Sequence, residues 1–286
     1  MSSLRRPQAW ERLSSRLWDA DSAMLKRLHA AWTYLSTWGP FALITIFYGG
    51  LGTIASILRV KSVSRRCLHW WAKRTCRSLG LTPLITYAQG ADWARDLAHL
   101  RQGVMIANHA SHLDIILIAA LAPLDIRILA KSSLFKAPFL GWYIRACGHI
   151  PVYRGAQRHL NKTIGQEAIK RAIAEGATLF FFPEGTRSKD GVLRPFKSGA
   201  FMVAERYQLI TYPICVSGTS LLLRSGGRVI HKDSDTPCTI KFLPELPPLI
   251  AAEPKEQQEI ESVVEERAQQ SKERAERLYQ EAFTQA

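Results

Sequence analysis

The residues best suited to chemistry in this 286-residue chain stand in one short polar run. Asn108-His109-Ala110-Ser111-His112-Leu113-Asp114 follows the strand-like stretch VMIA. Ser111 and Asp114 have the spacing of a capping box, which predicts that a helix starts here. With His109 in the preceding loop, the Asp114 carboxylate can fold back to one ring nitrogen and leave the other as a base. This pair has no serine nucleophile in its motif, so the sequence predicts that the attacking hydroxyl belongs to the substrate.

A second polar run follows another apolar strand. Phe182-Pro183-Glu184-Gly185-Thr186-Arg187-Ser188 comes directly after TLFF. Gly185 permits positive φ, so the chain can turn sharply at this point. Such a turn can aim Arg187 and backbone N–H groups into the crevice that holds His109, where arginine can grip a phosphate with two parallel hydrogen bonds. An ordinary surface turn is the alternative.

Two further cations follow predicted strands. Lys131 comes after the strand predicted at 126–130, and Arg154 after the one at 150–153. Each can point at the same end of a sheet as His109, because ligands of such sheets gather where strands end and helices begin. Solvated surface charge is the ordinary explanation for either residue.

Other classes of function stay open on these residues. A metal-dependent hydrolase would use His109, His112 and Asp114 as ligands, although no further His/Asp cluster completes a site at a characteristic spacing. A non-catalytic lipid-binding protein would use its basic residues and Arg187 only to hold headgroups. The net charge of +14 also suits nucleic acid, but the chain has no zinc-finger spacing and no RNP-type aromatic strand. We therefore expect no nucleic-acid partner.

The elements that position these residues alternate in type from Leu79 onward. Strands are predicted at 104–107, 126–130, 150–153, 178–182, 210–217 and 239–243. Helices are predicted between them, at about 112–122, 133–146, 157–175 and 198–207. This alternation predicts an α/β fold with a central, mostly parallel sheet flanked by helices.

A membrane-associated helical segment is predicted before that domain. The range 39–58 is uncharged and long enough to span a hydrocarbon core of roughly 30 Å. Gly49, Gly50 and Gly52 make a kink or a re-entrant turn easy, so crossing and turning back both stay open. The basic stretch after Leu58 faces the cytoplasm by the positive-inside rule. A buried core helix of a soluble protein is the alternative.

Three regions are expected: a membrane-anchoring helical region at 1–78, a catalytic domain at 79–250 and an amphipathic helix at 251–286. The last region has apolar residues at three- and four-residue steps, which predicts a helix that docks on the domain or lies in solvent. The five cysteines are odd in number and form no C-x-x-C pair. A reduced, cytoplasm-facing catalytic domain is the simplest interpretation.

Together the clusters resemble the glycerolipid acyltransferase family typified by the bacterial 1-acylglycerol-3-phosphate acyltransferases. The resemblance covers about residues 80–220 and includes four blocks in the family's order. They are N-H-x-x-x-x-D (108–114), K-x-x-L-F to V-x-R (131–154), F-P-E-G-T-R-S (182–188) and Tyr-Pro-Ile (212–214). H-x-x-x-x-D alone is common by chance, but its combination with F-P-E-G-T-R-S is specific. Ser133 departs from the family, many members of which have Glu there, and this blurs the identity of the acceptor.

The resemblance implies an O-acyltransferase of phospholipid biosynthesis. It would move a fatty acyl group from acyl-CoA or acyl carrier protein to the free hydroxyl of 1-acylglycerol-3-phosphate (lysophosphatidic acid), giving phosphatidic acid. His109 would take the hydroxyl proton and Asp114 would stabilise the imidazolium. The implied acceptor-binding residues are Glu184, Gly185, Thr186, Arg187, Lys131 and Arg154.

The resemblance implies no metal and no prosthetic cofactor, because the thioester is a co-substrate. Another lysophospholipid or a lyso-ornithine lipid is the other acceptor considered. The expected partners are membrane lipids, the lysophospholipid acceptor and the thioester donor. The expected location is a membrane, taken as the bacterial inner membrane with the catalytic domain facing the cytoplasm.

Overall fold

The computed structural model describes residues 8–121, 125–188, 191–223, 227, 230, 238–249 and 257–284. Its strands are β1 Leu84–Tyr87, β2 Gly103–Ala107, β3 Ile126–Lys131, β4 Ile150–Val152, β5 Thr178–Phe181, β6 Ile210–Ser217 and β7 Thr239–Phe242. Its α-helices are α1 Gln8–Ile57, α2 Lys61–Leu79, α3 Leu113–Leu121, α4 Leu140–Ala146, α5 Ile164–Ala174, α6 Gly199–Arg206, α7 Thr219–Leu222 and α8 Gln257–Thr284. Three 3₁₀ segments lie at Asp92–His99, Ser132–Lys136 and Gly155–Lys162.

The described strands form one sheet in the order β1-β7-β6-β2-β5-β3-β4. Every neighbouring pair is parallel except β6 and β7, which confirms the expectation of a mostly parallel sheet. Strands β6, β2, β5, β3 and β4 therefore end at one edge. All five residues of β2 are buried, as expected for a parallel strand covered on both faces.

Helices cover both faces of the sheet because successive strand side chains point to opposite sides. Met105 and Phe180 pack on one face in a core shared with residues of α2 and α3. Val104 and Ile106 pack on the other face with residues of α6 and α8. Tyr279 of α8 is fully buried there, so the C-terminal helix docks on the domain.

The helices α1 and α2 form an antiparallel pair beside the sheet. The indole Nε1 of Trp71 donates to the Thr45 hydroxyl at 3.0 Å, and the hydroxyls of Ser56 and Ser64 lie 2.6 Å apart. Helix α1 is continuous through Gly49, Gly50 and Gly52, so the chain does not turn back at these glycines. Gly52 instead allows close packing, since a Cβ there would lie 2.3 Å from the ring of Tyr143 in α4.

The stretch Tyr34–Ile57 of α1 is long and apolar enough to cross a membrane. It has 24 residues and a mean hydropathy of 1.6. Only 17% of its most apolar window is buried, which disfavours the alternative of a core helix. Large apolar side chains on it, including Leu43 and Phe47, face outward.

All six predicted strands are present, with ends shifted by at most one residue at either side. Strand β1 was missed because it is a four-residue, largely exposed edge strand. The boundary predicted between residues 78 and 79 lies at the end of α2, and the region predicted at 251–286 contains α8. The division into three regions stays a prediction.

The helix predicted at 133–146 is two elements, Ser132–Lys136 and Leu140–Ala146. Pro138 lies between them and has no N–H to continue a helical ladder. Phe139 next to it has φ of +59°, outside the helical region.

The helix predicted at 157–175 is likewise divided, into Gly155–Lys162 and Ile164–Ala174. Here the Asn161 side chain pairs with both backbone groups of Tyr153, which holds the first part against the end of β4.

Candidate active site

His109 and Asp114 are in contact, as the sequence predicts. The Nδ1 atom of His109 lies 2.8 Å from Oδ2 of Asp114. The Asp114 side chain is fully buried, and Oδ2 also accepts the N–H groups of Ala110 and Ser111, each at 2.8 Å. Its other oxygen accepts the hydroxyl of Thr219 at 2.6 Å. Four donors thus hold this carboxylate in place.

One half of the predicted capping box is present, and the Ser111 hydroxyl bonds one residue earlier than that motif requires. Asp114 reaches back to the N–H of Ser111, while Oγ of Ser111 accepts the N–H of Leu113 at 3.3 Å. The same hydroxyl donates to the carbonyl of Leu223 at 2.8 Å. Asp114 therefore lies in the first turn of α3, next to the loop that contains His109.

The hydrogen bond to Asp114 decides which nitrogen of His109 can act as a base. An anionic carboxylate accepts the proton on Nδ1, so the lone pair of the neutral imidazole is on Nε2. No described residue hydrogen-bonds to Nε2. The His109 ring stacks on Phe182, with centroids 3.9 Å apart and planes at 16°. A half-buried imidazole that stacks on one aromatic ring and has one free acceptor nitrogen is suited to general-base work.

Glu184 joins the two polar runs. One carboxylate oxygen accepts the N–H of His109 at 2.6 Å, and the other accepts the N–H of Arg194 at 3.0 Å. The N–H of Ser188 donates in return to the His109 carbonyl at 2.8 Å. Burial raises the pKa of Glu184, while these two amide hydrogen bonds act to lower it. Both oxygens are thus used inside the protein, a geometry that favours positioning over the predicted contact with substrate.

The turn after β5 has the predicted backbone. Gly185 has φ of +69°, and its N–H donates to the carbonyl of Phe182 at 2.9 Å. A Cβ at Gly185 would lie 2.6 Å from Nζ of Lys197, so glycine also leaves room for that cation. Thr186, the next residue, is exposed.

Arg187 lies on the same side of the molecule as the first polar run. It donates from Nη1 to Nδ1 of His112 at 3.0 Å. Partial desolvation lowers the pKa of His112, and the charges of Arg187 and His109 lower it further. A neutral His112 therefore serves as the acceptor that orients the guanidinium, and the predicted convergence of Arg187 with the His109 motif is present.

Lys131 and Arg154 extend this edge away from His109. Lys131 ends β3 and pairs in register with Val152 of β4, so Arg154 follows on the neighbouring strand. Both side chains are exposed, and Nη2 of Arg154 donates to the carbonyl of Gly185 at 2.5 Å. The structure thus brings Arg154 to the turn that carries Arg187, while Lys131 stands beside it without a hydrogen bond to any described residue.

The metal-hydrolase alternative requires three side chains to converge. Asp114 directs its oxygens at four protein donors, and His112 directs Nδ1 at Arg187. Within the described ranges, no three His, Cys, Asp or Glu residues form a group that could hold a metal. The donor arrangement therefore gives this alternative no support.

Three contributions to the site were not foreseen. Thr219 donates to Asp114 from just beyond β6, and Phe182 forms the stacking surface for the imidazole. The Asn108 amide pairs with both backbone groups of Val216 at 2.8 and 2.7 Å, which joins the His109 loop to β6. A polar residue directly after a predicted strand was the available signal for Thr219.

Comparison with known proteins agrees with this geometry. The family model described as Acyltransferase matches residues 94–217. The chain is 35% identical over 135 residues to the 1-acyl-sn-glycerol-3-phosphate acyltransferase BAT2, chloroplastic, of Brassica napus, covering 46% of this chain and 38% of that relative. It is 33% identical over 179 residues to the 1-acyl-sn-glycerol-3-phosphate acyltransferase of Saccharomyces cerevisiae, covering 61% of this chain and 57% of that relative.

These alignments span less than two thirds of the length of either relative. The fold is also that of a solved structure, the 1-acyl-sn-glycerophosphate (LPA) acyltransferase PlsC from Thermotoga maritima. The TM-score is 0.62 at 23% identity, and the match covers 87% of this chain and 97% of that one.

Proposed function

We propose, from the premise that this chain belongs to the glycerolipid acyltransferase family, that it transfers a fatty acyl group from a thioester to the free hydroxyl of lysophosphatidic acid. One observation carries the proposal: the His109–Asp114 pair leaves Nε2 as an acceptor at an edge where cationic side chains gather. The relatives that the chain resembles are named for the same reaction, which supports the choice of acceptor.

In the proposed reaction, Nε2 of His109 takes the proton of the acceptor hydroxyl as its oxygen attacks the thioester carbonyl. The C–O bond forms, the C–S bond breaks, and the thiolate leaves with a proton returned by the imidazolium. Asp114 stabilises the imidazolium through Nδ1. Its carboxylate needs no rearrangement to do so, because three other donors already hold it in place. A base of this kind contributes about 10²–10⁴-fold to the rate, and positioning of the two substrates contributes more.

Arg187 is proposed to bind the acceptor phosphate. In lysophosphatidic acid the phosphate is attached close to the reacting hydroxyl, so its ligand must lie near His109. His112 holds Arg187 there, and the guanidinium keeps donors free for a phosphate. Lys131 and Arg154 at the same edge are the weaker candidates. Another lysophospholipid or a lyso-ornithine lipid stays the alternative acceptor, and the donor is acyl-CoA or acyl carrier protein.

The proposed location is a membrane, taken as a bacterial inner membrane with the catalytic domain on the cytoplasmic side. The exposed apolar face of Tyr34–Ile57 and the basic helix α2 behind it support this proposal.

The test is thiol release from a long-chain acyl-CoA by the full chain, with lysophosphatidic acid as acceptor in mixed micelles. We expect turnover by the wild type and a loss of about a thousandfold or more in kcat for His109→Ala, with an unchanged melting temperature. A wild type that binds lipid without thiol release would identify a non-catalytic lipid-binding protein. A panel of lysophospholipids and a lyso-ornithine lipid in the same assay identifies the acceptor.

A further inference from the structure

A cationic loop leaves the sheet beyond its edge strand β4. Residues 154–162 include Arg154, Arg158, His159 and Lys162 and contain no acidic residue. Lys170 on the following helix is paired with Glu167. In the described part of the chain, neither Arg158 nor Lys162 has an ion-pair partner. The usual explanation is a solvated face, and three further observations argue for a binding site.

The first observation is that this loop is pre-formed. Asn161 accepts the N–H of Tyr153 at 2.8 Å and donates to its carbonyl at 2.9 Å, which closes the loop on the end of β4. His159 is held as well, because Nδ1 lies 3.0 Å from the carbonyl of Ala156. A fixed loop loses less conformational entropy when it binds an anion than a mobile one would.

The second observation is the shape and chemistry of the loop surface. Arg158, His159, Asn161 and Lys162 line an open cleft of about 520 Å³. Within Gly155–Lys162 no large apolar side chain is exposed. Segments that lie on a membrane combine basic residues with apolar or aromatic anchors, so the composition of this cleft favours a soluble anion over a bilayer.

The third observation is the position of the loop relative to the base. Strand β4 is three places from β2 in the sheet, and neighbouring strands lie about 4.8 Å apart, so the cleft begins roughly 14 Å from the strand that carries His109. Arg154 connects the loop to the catalytic turn through the carbonyl of Gly185. Cationic side chains therefore lie at two distances from His109: Arg187 is close to it, and the loop at 154–162 is farther away.

The two substrates of the proposed reaction place their phosphates differently. The acceptor carries its phosphate close to the reacting hydroxyl, whereas a thioester donor carries its phosphate at the far end of the long pantetheine arm. A donor with its thioester at His109 must hold that phosphate well away from the base. We propose that the loop with Arg158, His159 and Lys162 binds the phosphate of the acyl donor's phosphopantetheine, a group shared by CoA and acyl carrier protein. This inference rests on the proposed function.

The test compares two double variants of the full chain in mixed micelles. R158A/K162A removes both unpaired cations of the cleft, whereas K272A/R277A removes two cations from α8. For R158A/K162A we expect about tenfold weaker binding of CoA by calorimetry and about a tenfold higher KM for palmitoyl-CoA. The KM for palmitoyl-pantetheine, which lacks phosphate, and the KM for lysophosphatidic acid should stay within about twofold of wild type. The charge-conserving R158K/K162R and the α8 control should bind CoA like wild type.

Palmitoyl-acyl carrier protein, used as a second donor, distinguishes the phosphopantetheine phosphate from the nucleotide phosphates of CoA. A higher KM with both donors assigns the shared phosphopantetheine phosphate, and a higher KM with palmitoyl-CoA alone assigns the nucleotide phosphates of CoA. A change confined to the carrier protein would mean that the loop contacts the protein surface and would overturn the phosphate site.

Unchanged CoA binding and donor KM in R158A/K162A would also overturn the inference, as would a wild type that binds neither CoA nor the carrier protein. A loss confined to sedimentation with anionic vesicles would assign the loop to the membrane instead. The proposed function fails separately, if the wild type binds CoA with the loop but transfers no acyl group to any acceptor.

Discussion

Two polar networks lie at opposite ends of the sheet's strands. The Asp114 network consists of Asp114 with its four donors at the carboxyl ends of the strands. The Arg127 network begins at the amino end of β3, where Arg127 contacts Asp125 and donates to Glu175 at 3.0 Å. Arg65 of α2 completes it with a 2.8 Å ion pair to Asp125. The Asp114 carboxylate is fully buried, whereas Glu175 and Arg65 of the second network are partly exposed, and only the first network ends at an acceptor atom, Nε2 of His109, to which no described residue hydrogen-bonds.

The two histidines beside these networks show the difference most clearly. Nδ1 of His149 accepts the N–H of Ile128 at 3.0 Å, so its proton is on Nε2, which is buried and has no hydrogen-bond partner among the described residues. Burial lowers the pKa of His149 to about 3. In His109 the roles are reversed: Nδ1 donates to Asp114 and Nε2 is left to accept. Burial of a polar group therefore does not identify a base, whereas the direction of its fixed hydrogen bond does.

The largest expected effect compares one substitution in both networks. Asp114→Asn replaces a carboxylate that takes four donors, so its amide N–H₂ must face at least one of them and the imidazolium loses its counter-charge. We expect kcat to fall by about a thousandfold. Asp125→Asn should leave kcat per folded molecule unchanged. Turnover by thiol release, normalised to folded protein, measures both, and equal losses would contradict the distinction between the networks.

The second prediction concerns stability. Arg127→Ala leaves Glu175 without its cation and Asp125 with Arg65 alone. Because both carboxylates are partly exposed, we expect a loss of about 1–3 kcal/mol in the free energy of unfolding. Lys170→Ala breaks an exposed pair with Glu167, and we expect less than about 1 kcal/mol there. Denaturant unfolding measures the difference. Similar small losses in both variants would show that the Arg127 network is structurally dispensable.

The sequence predicts the fold well because the central strands are buried on both faces. Runs such as residues 104–107 and 179–181 are apolar throughout, and this separates them from the helices between them. The edge strand β1 lacks that signal, since most of its side chains are exposed. Pro138 was visible as a helix breaker, but the Asn161–Tyr153 pairing that divides the next helix depends on a contact that the pattern does not encode.

In the candidate site, contacts between residues close in sequence were predictable, and contacts between distant residues were not. His109 and Asp114 are five residues apart, so local geometry brings them together and the sequence predicts their contact. Thr219 reaches Asp114 from 105 residues away, and only the parallel pairing of β2 and β6 determines that it does so. Glu184 was expected to meet substrate because its motif lies beside the crevice, but the direction of its carboxylate depends on which backbone N–H groups lie beneath it.

The third prediction concerns the role of Glu184, which lies near the carboxyl ends of the strands. Glu184→Gln keeps one acceptor oxygen but turns an amide N–H₂ toward the N–H of His109 or Arg194. We expect kcat to fall about tenfold through misplacement of His109, with the acceptor KM near that of wild type. Steady-state kinetics with lysophosphatidic acid measures both values. A raised acceptor KM at unchanged kcat would return Glu184 to the substrate contact that the sequence first predicted.

The smallest expected effect is a pH dependence of the contact between Arg187 and His112. The pKa of His112 lies below the ordinary 6.5, because of partial desolvation and of the charges of Arg187 and His109. Its neutral form is therefore the acceptor at neutral pH, and any stability that this contributes is present above the unfolded pKa and lost as pH falls through the folded one.

Protonation of His112 at acidic pH removes the acceptor that orients Arg187. In His112→Ala that acceptor is absent at every pH, so the ratio of its acceptor KM to the wild-type KM isolates the effect from titration of the acceptor phosphate. We expect a ratio of about two to three near pH 7.5 that falls toward one as the pH drops below the lowered pKa of His112. A ratio independent of pH would show that His112 does not orient Arg187. The guanidinium would then be positioned by the bound substrate alone.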